Sequence, residues 1–177
     1  MIYTYGDTPL NISIRNEKVS DIQSIHELTV AAFLEAPHTD HTEQFIVDAL
    51  RKSASLTISL IAEEAGKIVG HVAVSPVSIS DGTTGWYGLG PISVSPSEQG
   101  KGIGSALMEA AILSLKELNA DGCVLLGDPN YYKRFGFTPM KGLELPDVPA
   151  EYFQALMFSG DLPQGNVTYH ESFSATG

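Results

Sequence analysis

Val94-Ser95-Pro96-Ser97-Glu98-Gln99-Gly100-Lys101-Gly102-Ile103-Gly104-Ser105-Ala106-Leu107 joins an apolar, strand-like stretch to an amphipathic helical pattern through a glycine-rich turn. Glycines at 100, 102 and 104 let successive amides turn toward one point with no side chain in the way. The first turn of the following helix adds unpaired N–H groups and the positive end of its dipole. Together they make a cradle for a phosphate or pyrophosphate, set against the plainer reading of a structural turn. A nucleotide-binding P-loop needs Ser or Thr directly after its lysine, and Lys101 is followed by Gly102. A dinucleotide fingerprint needs a further glycine three positions on, where Ser105 or Leu107 stands.

Upstream, Trp86 to Ser95 reads as a strand interrupted by Gly88, Gly90 and Pro91, where a proline without an amide hydrogen argues for a bulge or an unpaired edge. Thr57 to Ala62 and Ile68 to Ile79 read as an antiparallel hairpin around the polar turn 63–67. Before them come a short strand, Ile12 to Arg15, and two helices. The first is expected to be capped by Ser20 with Gln23, to bury Ile22, Ile25, Thr29, Ala32 and Phe33, and to stop at Pro37. The second is expected to be capped by Asp40 with Glu43 and to bury Phe45, Ile46, Ala49 and Leu50. Downstream, Ile103, Leu107, Ala110, Ala111, Ser114 and Leu118 mark the buried stripe of the helix that follows the loop. Gly122 to Leu126 is an apolar strand, and Gly127-Asp128-Pro129 opens a short helix that Gly136 ends. Phe137 and Tyr152 to Phe158 close the pattern. The element order predicts a mixed α/β layered fold, not a doubly wound parallel one.

The chain has 177 residues, which favours one domain, and no apolar run long enough to span a membrane. Residues 1–11 read as an N-terminal extension, 12–160 as the domain, and 161–177 as a tail packing on it or trailing from it. Order is expected to be weakest in the first ten residues and from Gly165 on. The N-terminus has no signal-peptide pattern and the single cysteine cannot pair, so a cytoplasmic setting is expected. A net charge of −11 disfavours a nucleic-acid partner; it suits the approach of a cationic amine and equally an acidic surface that only keeps the protein soluble.

Gln99, Gly102 and Gly104 fit the pattern Gln or Arg, two free positions, Gly, one free position, Gly or Ala. The segment resembles the coenzyme A loop of the GNAT superfamily of N-acetyltransferases. Asn130-Tyr131-Tyr132-Lys133-Arg134-Phe135-Gly136-Phe137 looks like that superfamily's second signature, a short helix ending in Gly-Phe. With Gly88-Leu89-Gly90-Pro91 and Leu126-Gly127-Asp128-Pro129, these stretches look closest to the YhbS-like branch of predicted bacterial acetyltransferases.

The resemblance implies a single domain with a mostly antiparallel mixed sheet, splayed at the acetyl-CoA strand, and helices on both faces. It implies acetyl-CoA as co-substrate, no metal, and direct attack of a neutral amine of a small molecule or a protein on the thioester, in a monomer or homodimer. The backbone of Ile92, Ser93 and Val94 would hold the pantetheine arm, with the Val94 amide polarising the thioester carbonyl. Gln99, Gly100, Lys101, Gly102, Ile103, Gly104 and Ser105 would cradle the phosphates, and Asn130 would bond the pantetheine amides. Tyr132, four residues before Gly136, would donate a proton to the departing thiolate; Tyr131 is the weaker candidate, and packing is the competing role for both. The base is open among Glu35, Glu43, His38 and His41. His26 and His71 read as structural, and Cys123 as a buried core thiol. A module that binds acyl-CoA without turnover is the alternative to an enzyme.

Overall fold

Alternation of apolar and polar side chains builds the centre of the molecule. In the computed structural model, which describes residues 1–177, a hairpin of β1 (Thr4–Tyr5) and β2 (Thr8–Pro9) precedes β3 (Ser13–Asn16), α1 (Ile22–Phe33) and α2 (Glu43–Lys52). Then follow β4 (Ile58–Glu64), β5 (Lys67–Ile79), β6 (Trp86–Val94), α3 (Ile103–Glu117) and β7 (Gly122–Leu126). The chain ends with α4 (Pro129–Tyr132), β8 (Leu143–Glu144), β9 (Phe153–Met157) and β10 (Gly165–Tyr169). The main sheet runs β3-β4-β5-β6-β7-β9, antiparallel throughout except for the parallel pair β6 and β7. No helix is long and apolar enough to cross a membrane.

Period-two alternation splits the buried residues between two faces. Leu60, Val72, Val74, Leu89, Cys123 and Leu125 pack with Ile103, Leu107, Ala111 and Leu115 of α3. On the opposite face Ile61 and Ala73 meet Ile25 of α1 and Val47 of α2. Leu115, and not Leu118, completes the core stripe of α3; Leu118 is exposed where the helix ends.

The helix starts differ from the capping pattern of the sequence. Asp21, not Ser20, serves the start of α1: its carboxylate accepts the Lys18 N–H at 2.7 Å and two bonds from Arg15 at 2.7 and 3.1 Å. A guanidinium from β3 holds Asp21 in place, while Gln23 turns outward to Glu27. At α2 no side chain caps the helix, and Thr39 instead donates its hydroxyl to Glu43.

Two irregularities open the sheet. Between the pairs Val72↔Ile92 and Val74↔Leu89, β6 carries Gly90 and Pro91 opposite the single residue Ala73, a bulge where the sequence predicts one. β6 pairs with β7 only through Trp86, Gly88 and the residue between them, so Leu89 to Val94 have no partner on that side. A gap therefore widens between the two parallel strands toward Val94.

The segment from Gly165, expected to be poorly ordered, is β10. It pairs with β5 from Val77 to Ile79, beyond the end of β4, and with β8. It brings Tyr169 onto Gly88, where a Cβ would stand 2.4 Å from the Tyr169 ring. Only glycine leaves room for the aromatic ring at the point where the gap begins.

Candidate active site

Hydrogen-bond alternation decides which amides of β6 face the gap. In an antiparallel ladder, residues that bond the neighbour alternate with residues whose N–H and C=O point away from it. The Ser95 N–H donates to the Val69 carbonyl at 2.8 Å, and the register pairs Ser93 with His71 and Val94 with Gly70. Ser95 and Ser93 therefore face β5, while Ile92 and Val94 turn their amides into the gap. Of the three backbone positions expected to bind a ligand arm, Ile92 and Val94 are free to do so, and Ser93 is engaged in the sheet. The Val94 carbonyl accepts the Gln99 side-chain amide at 3.1 Å, which pins the strand end to the loop.

The loop passes through a 3-10 turn at Pro96–Glu98 and reaches Gly100 at φ 77° and Gly102 at φ 87°. Gly102 sits immediately before α3 in a left-handed conformation, which glycine adopts at no steric cost. α3 has no side-chain cap, so the first-turn amides of Ile103, Gly104 and Ser105 stay free for an anion. Lys101 bonds Glu98 at 3.0 Å and both glycines stand at the surface or near it. Tyr5 of the N-terminal hairpin lies over Gly102, where a Cβ would come within 2.9 Å of its ring.

α4 forms the far wall. Asp128 caps it by accepting the Asn130 N–H at 2.9 Å, leaving the Asn130 side chain exposed. The Tyr131 hydroxyl is 3.3 Å from Ser105 Oγ, and Arg134 stacks on the Tyr131 ring at 4.5 Å. Tyr132 packs edge-to-face on Tyr131 and against the α3-side core. Burial, with Tyr131 and Asp128 adding to it, pushes the Tyr132 phenol up to about 12, so it keeps its proton at neutral pH. Tyr131 is thus the tyrosine whose hydroxyl touches the first turn of α3, and Tyr132 the one held protonated in apolar surroundings.

The remaining candidates are separated by exposure. Glu35, His38 and His41 are exposed. Glu43 is half-buried, with one carboxylate oxygen bonded by Thr39 and the other buried without a partner. Burial raises the Cys123 thiol, so it stays protonated and inert.

A network that no local pattern in the sequence marks lies on the α1/α2 face. Arg51 bonds both oxygens of Glu17, at 2.7 and 3.1 Å, and reaches Asp48 at 3.2 Å. Asp48 in turn bonds His26 at 2.7 Å. Ser59 bonds Glu17 and also His71 Nε2, the latter at 2.8 Å. Burial alone would raise the Glu17 carboxyl, but the bonds from Arg51 and Ser59 outweigh it and hold Glu17 below its usual range.

Burial pushes His71 down from 6.5 to about 4, with Arg51 acting the same way and Glu17 opposing it. A histidine with a depressed folded pKa binds fewer protons than its unfolded counterpart between those values. Its contribution to stability is complete above 6.5 and declines as the pH falls toward 4, by about 3 kcal/mol over the whole window. Melting temperatures from pH 7 to 4.5 are expected to fall more steeply for the wild type than for His71→Gln. Parallel curves would show that His71 is not buried in its neutral form.

Comparison with known proteins gives one consistent result. A family model described as an acetyltransferase (GNAT) domain matches residues 55–139, which contain β4 to α4 and the loop. The N-acetyltransferase YhbS of Escherichia coli strain K12 is 34% identical over 153 residues, covering 82% of this chain and 91% of that protein. A GNAT family acetyltransferase of Brucella melitensis, solved in complex with acetyl-CoA, is 46% identical with a TM-score of 0.82. That match covers 92% of this chain and 97% of the other. The structure of YhbS from Escherichia coli in complex with CoA superposes with a TM-score of 0.85 at 31% identity, over 97% and 96% of the two chains.

Proposed function

Because the chain belongs to the GNAT acetyltransferase family, we propose that it transfers an acetyl group from acetyl-CoA to an amine by direct attack on the thioester. The observation that carries this reading is the gap between β6 and β7, with the Val94 amide turned into it and the glycine loop at its mouth. The Brucella melitensis and Escherichia coli relatives, solved with acetyl-CoA and CoA, support the same ligand here.

In this reading the amides from Gly100 to Ser105 bind the pyrophosphate, and the pantetheine arm lies in the gap along Ile92 and Val94, with Asn130 at its side. The Val94 N–H polarises the thioester carbonyl and stabilises the oxyanion formed on attack. Tyr132 hands its proton to the coenzyme sulfur as the carbon–sulfur bond breaks. Glu43 and Glu35 attract the ammonium form of the acceptor, in keeping with the net charge of −11. The acceptor is an amine of a small molecule or of a protein.

Thermal melts with acetyl-CoA, CoA, ATP or NADH test the cofactor. A ligand at a hundred times its dissociation constant adds about 2.7 kcal/mol, and the two coenzyme A species alone are expected to do so. Gly102→Asp is expected to abolish their effect. The carboxylate repels the phosphates, and because an aspartate at φ 87° beneath Tyr5 is strained, the variant's own melt without ligand is the control that it still folds. Stabilisation by ATP or NADH, or by nothing, would refute the reading. CoA-dependent stabilisation without thiol release from any amine would leave an acyl-CoA-binding module.

A further inference from the structure

We infer that Ser93, His71, Ser59 and Glu17 form a proton exit that carries the acceptor's surplus proton from the gap to solvent. The inference rests on the transferase reading and adds to it a route for the proton. An ammonium acceptor has three N–H protons and the amide product has one. One of the two lost protons ends on the coenzyme thiol and the other must reach water, so the reaction releases one proton net.

The hydrogen bonds fix the direction of the chain. Glu17, paired with Arg51 through both oxygens, is a carboxylate with no proton to give. The single hydroxyl proton of Ser59 is therefore donated to Glu17, and Ser59 Oγ can only accept from His71. His71 thus carries its proton on Nε2, and Nδ1 is an unprotonated lone pair. That lone pair is buried in a residue with no exposed surface and has no partner. Directly opposite in the register stands Ser93, also buried, whose Oγ has no partner either. Ser93 and His71 are cross-strand neighbours whose buried Oγ and Nδ1 each lack a partner, a costly arrangement, and a turn of the Ser93 hydroxyl toward Nδ1 is the movement that proton transfer between them requires.

The placement matches the reaction. Ser93 immediately precedes Val94, whose amide faces the gap. The cradle belongs to α3 and hence to one face of the sheet, so the acceptor reaches the thioester from the other. That other face carries His71 and Ser93, below α1 and α2. At the far end Glu17, Ser59 and Arg51 line a cavity of about 410 Å³ together with Asn16, Ala54 and Leu56. As the attacking nitrogen gives a proton to Ser93 Oγ, the hydroxyl proton of Ser93 passes to His71 Nδ1. The Nε2 proton then moves to Ser59, the Ser59 proton to Glu17, and Glu17 releases it to water in the cavity. Each group ends with as many protons as it began with, His71 holding its proton on Nδ1 until it returns to the Nε2 tautomer before the next turnover, and no oxidant or metal is required.

The test uses the full chain, acetyl-CoA and four amines, n-butylamine, phenethylamine, spermidine and a glycine-terminated peptide, with thiol release as readout. His71→Gln and Ser59→Ala are expected to lower kcat by about 10²-fold, within the range for general acid–base steps. The KM for acetyl-CoA and the melting shift with CoA are expected to stay unchanged, and the acid limb of the kcat profile to disappear. Ser59→Ala removes no charge, so it decides the matter where His71→Gln fails to fold. Wild-type kcat with the same acid limb in the variants would overturn the relay and leave the transferase reading standing, as would loss of that limb only in Glu43→Gln. No thiol release from the wild type with any amine would overturn both.

Discussion

Val94→Pro is expected to lower kcat by about 10²–10³-fold while the protein still folds. The substitution deletes one N–H and nothing else of the backbone. The register assigns that N–H to the gap and not to the ladder with β5, so no sheet hydrogen bond is lost. Proline also asks the preceding residue to be extended, which Ser93 already is within β6. The bond from Gln99 goes to the Val94 carbonyl and survives. Ser93→Pro is the contrasting change, because the Ser93 amide belongs to the pairing with His71 and its loss breaks a central ladder. Steady-state kinetics with the melting curve of each variant separate the two. An unchanged kcat in Val94→Pro would place the polarising donor elsewhere.

The contrast between Ser93 and Val94 also shows where the sequence is legible. The loop, the helix after it and the bulge at Gly90-Pro91 are written locally: glycines, a proline and a 3.6-residue period suffice to place them. The family and the cofactor class follow from that segment and from the tyrosine-rich helix 28 positions beyond Gly102. What local patterns do not carry is the partner. Nothing within α1 tells that Arg15 will hold Asp21 and make it the residue at the helix start, so Ser20 looks the better cap. Val167 is the only fully buried residue of β10, too little apolar signal to distinguish a strand from a tail. Its place is set by an edge of β5 that β4 leaves uncovered. His71 is the sharpest case. In the sequence it is one polar residue in an apolar strand. Its role depends on Ser59, Glu17 and Ser93, which adjoin it only once three strand pairings are in register.

Arg51→Ala is expected to destabilise the protein by about 3 kcal/mol, the lower end for breaking a buried ion pair, since a fifth of the Arg51 side chain reaches water. The pair spans 34 positions and ties α2 to the segment after β3. Removing the guanidinium leaves Glu17, with 16% of its side chain exposed, as a carboxylate without its cation beside the buried Ser59 and His71. Burial, which raises the Glu17 pKa, is then opposed only by the Ser59 bond and the nearby His71, so the pKa moves up from its wild-type position. Its stabilising contribution, present in the wild type above the ordinary carboxylate range, shrinks at neutral pH. Urea denaturation at pH 7 is expected to show the full loss, and Glu17→Gln in the Arg51→Ala background is expected to recover part of it by removing the stranded charge. The double variant tests the source of the energy. Recovery means that Arg51 acts on the fold by neutralising Glu17; no recovery means that its packing on the surface of α2 and the 16–17 segment is what counts.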